Sequence, residues 1–351
     1  MMDTKVGAKA AGPMIANEIG LTKAEYRGGP STLCQGCGHN SISSQIIAAF
    51  YELAAPPERI IKMSGIGCSS KSPAYFLNRS FGFNALHGRM PTVTTGAVMV
   101  NTSLKAIGIS GDGDTASIGF SHFKNLVRRN VPMIYIVENN GVYGLTKGQF
   151  SATADKGLEL KNVGVNPFMP VDVCMEALIA GAGFVARSFA GDPNQVKELL
   201  KAAFHFHGTA VLDIVSPCVT FNNRDESSKS YRWGRARKEP LHDITWVPRR
   251  KEIQVELEPG EVLDVDMHDG SQIRFKKLEL DYNPTDRMSA LKMLAETSRG
   301  GVLVTGVIYI NEDTLPLDIT QNLVDAPLTQ LSDDALRPSK ETLDTFIDRF
   351  R

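Results

Sequence analysis

Two short motifs in this chain have the residue types and spacing to hold a hard metal ion and an anion. Gly111-Asp112-Gly113-Asp114 comes first, and Glu138-Asn139-Asn140-Gly141-Val142 follows one strand–helix–strand crossover later, about thirty residues on. The spacing puts the Asp112 carboxylate and the Asn140 amide oxygen at the ends of two neighbouring parallel strands. Magnesium takes oxygen ligands, with one or two carboxylates beside phosphate oxygens. Gly111 and Gly113 allow a tight turn and close approach of a phosphate. A helix starting after Asp114 would aim N–H groups at that anion. The pair therefore reads as a Mg-diphosphate site. An ordinary Gly-Asp turn is the alternative for the first motif alone.

The surrounding elements suit that placement. Ala106 to Ser110 is a short apolar run, as in a strand buried on both faces. Ser117 to Arg129 reads as a helix, with Phe120, Phe123, Leu126 and Val127 at helical spacing and Arg128 and Arg129 in its last turn. Val131 to Val137 is the next strand. Helices are predicted at 41–53, 94–104, 174–183, 193–206 and 285–298, and strands at 59–63, 184–187, 210–215 and 301–306. The alternation predicts an α/β fold, a doubly wound parallel sheet with helices on both faces. Alternating runs at 252–257, 261–268 and 272–278, separated by Pro259-Gly260 and Asp269-Gly270, predict a small C-terminal antiparallel β-rich appendage. The expected organisation is an irregular segment over 1–28, a main domain over 29–248 and an extension over 249–351.

Four of the five cysteines lie in loops rich in Gly, Ser and Pro. Cys34 and Cys37 form a C-x-x-C pair, while Cys68 and Cys218 each follow a strand. Such thiolates suit soft-metal ligation, with loop N–H groups free to bond sulfur. Spacing alone does not choose between zinc and iron–sulfur, and four unrelated thiols remain the plain alternative. Cys174 opens an apolar helix and reads as a packed small hydrophobe. Lys147 sits in a loop after the second motif, where a cation could clamp a substrate carboxylate; an ordinary exposed lysine is the alternative.

Taken together, the two motifs, Cys34-Gln-Gly-Cys37-Gly-His39, Ser64-Gly-Ile-Gly-Cys68-Ser69, His87-Gly-Arg89 and Tyr143-Gly-Leu-Thr-Lys147-Gly-Gln149 carry a resemblance. The chain resembles the beta subunit of a 2-oxoacid:ferredoxin oxidoreductase over about 29–218. Its longer tail is similar to that of the bacterial 2-oxoglutarate enzymes. The resemblance implies thiamine diphosphate, Mg²⁺ and one [4Fe-4S] cluster held by Cys34, Cys37, Cys68 and Cys218. It implies Asp112, Asn140 and the Val142 carbonyl as Mg²⁺ ligands. Ile66, Gly67, Cys68, Ser69, His87, Arg89, Gly111, Gly113, Asp114, Tyr143, Gly144 and Leu145 would line the cofactor, and Lys147 and His87 would serve catalysis. The implied reaction is oxidative decarboxylation of 2-oxoglutarate with coenzyme A, giving succinyl-CoA and CO₂ and electrons for ferredoxin, as in the TCA cycle. Pyruvate or a branched-chain 2-oxoacid is an alternative substrate, and a non-redox thiamine diphosphate decarboxylase or carboligase an alternative enzyme. Only one α/β module is legible, so an alpha subunit is expected to bring the pyrimidine-binding domain and its glutamate, in an (αβ)₂ assembly inactive without it.

Composition narrows the classes further. A net charge of −1 over 351 residues gives no basic footprint for nucleic acid. No run of about 18 apolar residues suggests a membrane span, and the first twenty residues lack a secretory core. A cytoplasmic location is the expectation, and a disulfide framework does not suit it.

Overall fold

The structure is a computed structural model. It describes residues 15–161, 163–223, 227–240, 262–266, 272–276, 282–300 and 302–351. The chain begins with α1 (Gly38–Glu52), β1 (Ile60–Ser64), β2 (Phe81–Asn84), α2 (Met90–Val100), β3 (Lys105–Gly111), α3 (Phe120–Arg128) and β4 (Met133–Asn139). Two small hairpins follow: β5 (Val142–Tyr143) with β6 (Gln149–Phe150), and β7 (Glu159–Leu160) with β8 (Gly164–Val165). Then come α4 (Val173–Ile179), β9 (Phe184–Phe189), α5 (Pro193–His205), β10 (Thr209–Val215), α6 (Tyr231–Arg237) and β11 (Lys238–Pro240). The remaining elements are β12 (Val262–Asp266), β13 (Gln272–Lys276), α7 (Arg287–Gly300), β14 (Leu303–Ile310), α8 (Leu317–Thr320), α9 (Asp333–Leu336) and α10 (Lys340–Asp348).

Eight strands form one sheet in the order β11-β14-β9-β10-β4-β3-β1-β2. All neighbours are parallel except β14 against β9. The mostly parallel sheet follows from residue pattern: every residue of β4, β9 and β10 is buried, as a strand covered on both faces requires. Along β4, Met133, Tyr135 and Val137 pack with Phe123 and Leu126 of α3 and Val173 of α4. Ile134 and Ile136 face the opposite layer, with Ile42 and Ile46 of α1 and Val196 and Leu200 of α5. Each such fully buried aliphatic or aromatic side chain contributes roughly 1.5–3 kcal/mol.

Several boundaries differ from the sequence reading for local reasons. α1 begins at Gly38 rather than Ser41, so Cys37 is its N-cap. α2 runs from Met90 to Val100, four residues earlier than expected, because Pro91 suits the first turn of a helix. The helix expected from Ser117 opens instead with a wide turn at Asp114–Ile118, closed by Gly119 N–H donating to the Asp114 carbonyl at 2.8 Å. β2 carried no strand signal in the sequence, because Phe81-Gly-Phe-Asn is short, polar-interrupted and exposed at the sheet edge.

The strand expected at 301–306 joins the main sheet as β14, antiparallel to β9, with a bulge between Val307 and Tyr309. α7 sends Ala290 and Leu294 into the same core as β4. α7 and β14, from the stretch expected as an extension, thus build part of the central layers. Beyond them, β12 and β13 pair antiparallel, Val262 opposite Lys276 and Asp266 opposite Gln272. The run expected at 252–257 lies outside the described residues. No helix among the described residues is long and apolar enough to cross a membrane.

Candidate active site

The chain enters the sheet at β1, steps outward to β2, and returns to the other side of β1 as β3. This reversal opens a crevice between the carboxyl ends of β1 and β3, where open α/β sheets bind ligands. Gly65–Ser69 leaves β1 there and Asp112–Asp114 leaves β3. Asn140–Val142 leaves β4 beside them, with Gly111 level with Glu138. Asp114 ties three loops together. Its Oδ1 accepts the Gly88 N–H at 2.7 Å, and its Oδ2 accepts the Ser110 hydroxyl at 2.9 Å and the Ile66 N–H at 3.3 Å. Gly88 comes so close to Gly119 that a Cβ on it would lie 2.6 Å from the Gly119 backbone, so His87 and Arg89 are held beside the turn.

Asp112 is buried under a ring of donors. Oδ2 accepts the Gly141 N–H at 3.2 Å, the Thr153 hydroxyl at 2.5 Å and the Ser151 hydroxyl. Oδ1 accepts the Asn140 N–H at 3.3 Å. Asn140 Oδ1 in turn accepts the Val142 N–H at 3.0 Å. Asp112 Oδ1 and Asn140 Oδ1 each keep a lone pair beyond these bonds, a donor set that suits a hard cation. Burial pushes the Asp112 carboxyl above its usual range, against the opposing pull of Ser151, Thr153, Asn140 and the Lys229 charge. A divalent ion would offset that cost. A Cβ built on Gly67 would meet nothing within 4 Å, so the loop after β1, tied to Asp114 through the Ile66 N–H, borders open space. The residues present therefore fit a metal-bound diphosphate.

The cysteine loops converge next to this crevice. The Cys37 N–H donates to the Cys34 carbonyl at 3.1 Å, and Gly38 N–H to the Pro217 carbonyl at 3.2 Å. The C-x-x-C turn therefore packs on the turn that carries Cys218. The Thr220 hydroxyl donates to Cys34 Sγ at 3.5 Å. A Cβ on Gly144 would lie 3.5 Å from Cys68 Sγ and 3.7 Å from Cys218 Sγ, so a residue without a side chain separates these two sulfurs from the cofactor-side loop. Burial pushes the Cys37 thiol up to about 12, with Glu138, Cys218 and Cys68 adding to it. Burial also raises Cys68, again with Cys218 adding. Such thiols need positive charge to ionise. Among the described residues, no three His, Cys, Asp or Glu side chains converge as ligands of one metal ion. Cys174 is fully buried and packs in the core, apart from the other four.

Residues 65–214 match the family of the thiamine pyrophosphate enzyme C-terminal TPP binding domain. The chain is 42% identical over 200 residues to the 2-oxoacid:ferredoxin oxidoreductase subunit beta of Saccharolobus solfataricus, covering 56% of this chain and 65% of that one. It is 35% identical over 204 residues to the 2-oxoglutarate synthase subunit KorB of Methanocaldococcus jannaschii, covering 57% of this chain and 74% of that one. The chain belongs to the 2-oxoacid:ferredoxin oxidoreductase beta-subunit family. A solved 2-oxoglutarate:ferredoxin oxidoreductase from Magnetococcus marinus superposes on this beta subunit with a TM-score of 0.73 at 27% identity, over 97% of this chain and 100% of that one. Against the archaeal relative from Saccharolobus, the matched stretch spans 65% of the relative's length.

Other residues of this beta subunit named from sequence lie on the crevice rim. Tyr143 donates its hydroxyl to the Gly113 carbonyl at 3.1 Å. His87, Arg89, Leu145 and Lys147 are exposed, and Lys147 has a φ of 76° in the tight Gly144–Gly148 loop. Sequence reasoning assigned no role to a buried polar group between the two halves of the site. His39 Nδ1 lies 2.6 Å from Ser216 Oγ and 3.6 Å from Glu138 Oε2, and Ser72 donates to both Glu138 oxygens at 3.0 and 2.9 Å. Burial lowers His39 to about 4, so the imidazole is neutral and its approach to Glu138 is dipolar. Burial raises the Glu138 carboxyl well above its usual range. A charged residue inside the otherwise apolar β4 run was the available signal. Ser151 and Thr153 were also missed, since small hydroxyls in a loop carry no pattern. A polar cavity of about 300 Å³ is lined by Asn139, Thr153, Asp155, Arg187, Asp213 and Lys229 among others.

Proposed function

We propose that this chain is the catalytic beta subunit of an enzyme that converts 2-oxoglutarate and coenzyme A to succinyl-CoA and CO₂, with two electrons delivered singly to two ferredoxins. One observation carries the reading: the loop after β1 supplies both a wall of the diphosphate crevice and Cys68, whose sulfur flanks Gly144 with that of Cys218. Thiamine diphosphate supplies an electron sink for decarboxylation when bound, and a [4Fe-4S] cluster supplies a one-electron carrier. Asp112, Asn140 and the Val142 carbonyl would hold Mg²⁺. The backbones of Ile66, Gly67, Ser69 and Gly113, with Tyr143, would border the cofactor. Cys34, Cys37, Cys68 and Cys218 would hold the cluster, their thiolates stabilised by its iron. His87 and Lys147, exposed on the rim, would face the substrate and orient its carboxylates. Residues 29–248 would carry both groups.

The choice of 2-oxoglutarate rests on the Magnetococcus enzyme, which was solved with 2-oxoglutarate, coenzyme A and succinyl-CoA bound. An alpha subunit would complete the site and supply the glutamate for the pyrimidine ring. Support comes from the relatives' names and from apolar side chains left open on β2 and the loop after it: Phe81 is 82% exposed and Leu86 78%. The assembly would be (αβ)₂ in the cytoplasm. Co-purification with the alpha partner, followed by assays of iron, thiamine diphosphate and 2-oxoacid-dependent ferredoxin reduction, tests the reading. A colourless, iron-free complex that decarboxylates without reducing ferredoxin would instead identify a non-redox decarboxylase or carboligase. Preference for pyruvate or a branched-chain 2-oxoacid would correct the substrate.

A further inference from the structure

The Asp112 carboxylate is held by two hydroxyls of the segment that follows β6. The Ser151 and Thr153 hydroxyls both reach Asp112 Oδ2. Thr153 Oγ1 also lies 2.8 Å from Asn139 Oδ1. Asn139 Nδ2 donates to Asp213 Oδ1 at 2.9 Å, and Asp213 Oδ2 accepts Arg187 Nε at 2.9 Å. Arg187 Nη2 reaches Asp172 Oδ1 at 2.6 Å. Thr153, Asn139, Asp213 and Arg187 are all buried. A buried polar chain thus runs from β9 through β10 to Asn139 at the end of β4 and ends beside Thr153, whose one hydroxyl proton goes to Asp112.

We propose that Ser151 and Thr153 are positioning residues for the metal carboxylate, holding Asp112 Oδ2 so that Oδ1 stays turned to the ion. The terminal torsion of an aspartate is broad, so an unheld carboxylate swings. Three donors on Oδ2 and one on Oδ1 remove that freedom unequally. The Thr153 hydroxyl has a single proton, which goes to Asp112, so Thr153 lies beside the Asn139 oxygen without donating to it. The sequence separates Asp112 from Ser151 and Thr153 by about forty residues.

This inference rests on the proposed Mg²⁺ role of Asp112. The test uses the assembled complex with thiamine diphosphate and Mn²⁺ as the probe, its affinity read by electron paramagnetic resonance. Thr153→Val and Ser151→Ala should each weaken Mn²⁺ roughly 10–100-fold, the usual loss when a group supporting a metal ligand is removed. Thr153→Ser should restore binding. Iron content should stay at the wild-type level, and kcat should recover at saturating Mn²⁺. Wild-type affinity in both Thr153→Val and Ser151→Ala overturns the proposal. If Thr153→Val does not assemble, Ser151→Ala carries the test alone: weaker Mn²⁺ binding supports the proposal and unchanged binding overturns it. Asp112→Asn is the control, because retention of Mn²⁺ there removes the metal reading itself, whatever the hydroxyl variants do.

Discussion

Replacing Asp112 by Asn separates the cost of this carboxylate from its use. Burial raises its folded pKa above the unfolded value. A group shifted in that direction contributes stability below its unfolded pKa, and the contribution is lost as pH rises through the folded pKa. At neutral pH without metal, the Asp112 charge therefore destabilises the fold. Asn at the same position keeps one oxygen for the Gly141, Ser151 and Thr153 donors and turns an NH₂ toward the Asn140 N–H, one mismatch costing about 1–3 kcal/mol. The relief of the buried charge offsets that loss. The metal-free Asp112→Asn complex should thus melt within a few degrees of wild type, a shift of about 1 kcal/mol or less in a chain of this size. Metal binding should respond very differently. Removing one partner of a buried charge pair costs about 3–5 kcal/mol, two to three and a half powers of ten in affinity. Thermal melts with and without Mg²⁺ and thiamine diphosphate, beside iron analysis, read both effects. Wild type should gain melting temperature on loading and Asp112→Asn should not, while iron stays constant. Iron lost together with thiamine, or a full thermal gain in the variant, would refute the reasoning.

Other perturbations address the rest of the site. Gly144→Ala puts a methyl at ordinary contact distance from the Cys68 and Cys218 sulfurs, so the fold should persist while iron content and visible absorbance fall; a full iron complement in that variant would argue against a cluster between these thiols. Gly88→Ala drives a Cβ into the Gly119 backbone at a φ of 66° and should cost about 1–3 kcal/mol in denaturant melts, loosening His87 and Arg89 with it. Lys147→Ala should raise KM for the 2-oxoacid and leave thiamine and iron content alone, as steady-state kinetics with metal analysis will show.

Much of this protein was legible without coordinates because its signals are local. Apolar runs such as 133–137 specify strands buried on both faces, and the crossover length between Asp112 and Asn140 forces their strand ends together. Helices such as α5 follow from Pro193 at the first turn and the spacing of Val196, Leu199 and Leu200. Glycine and cysteine motifs sit next to such strands, so their loops inherit a known end of the sheet. Other features depend on contacts between distant segments, which leave no periodic trace. Only the tertiary structure decided that Ser151 and Thr153 close over Asp112, and that Arg187 on β9 steadies Asn139 through Asp213. It alone put β14 antiparallel in the main sheet, since an apolar strand pairs in either direction and the return path from α7 makes the choice. Residue order determines the chemistry available at each strand end; burial and long-range hydrogen bonding determine which of those groups meet.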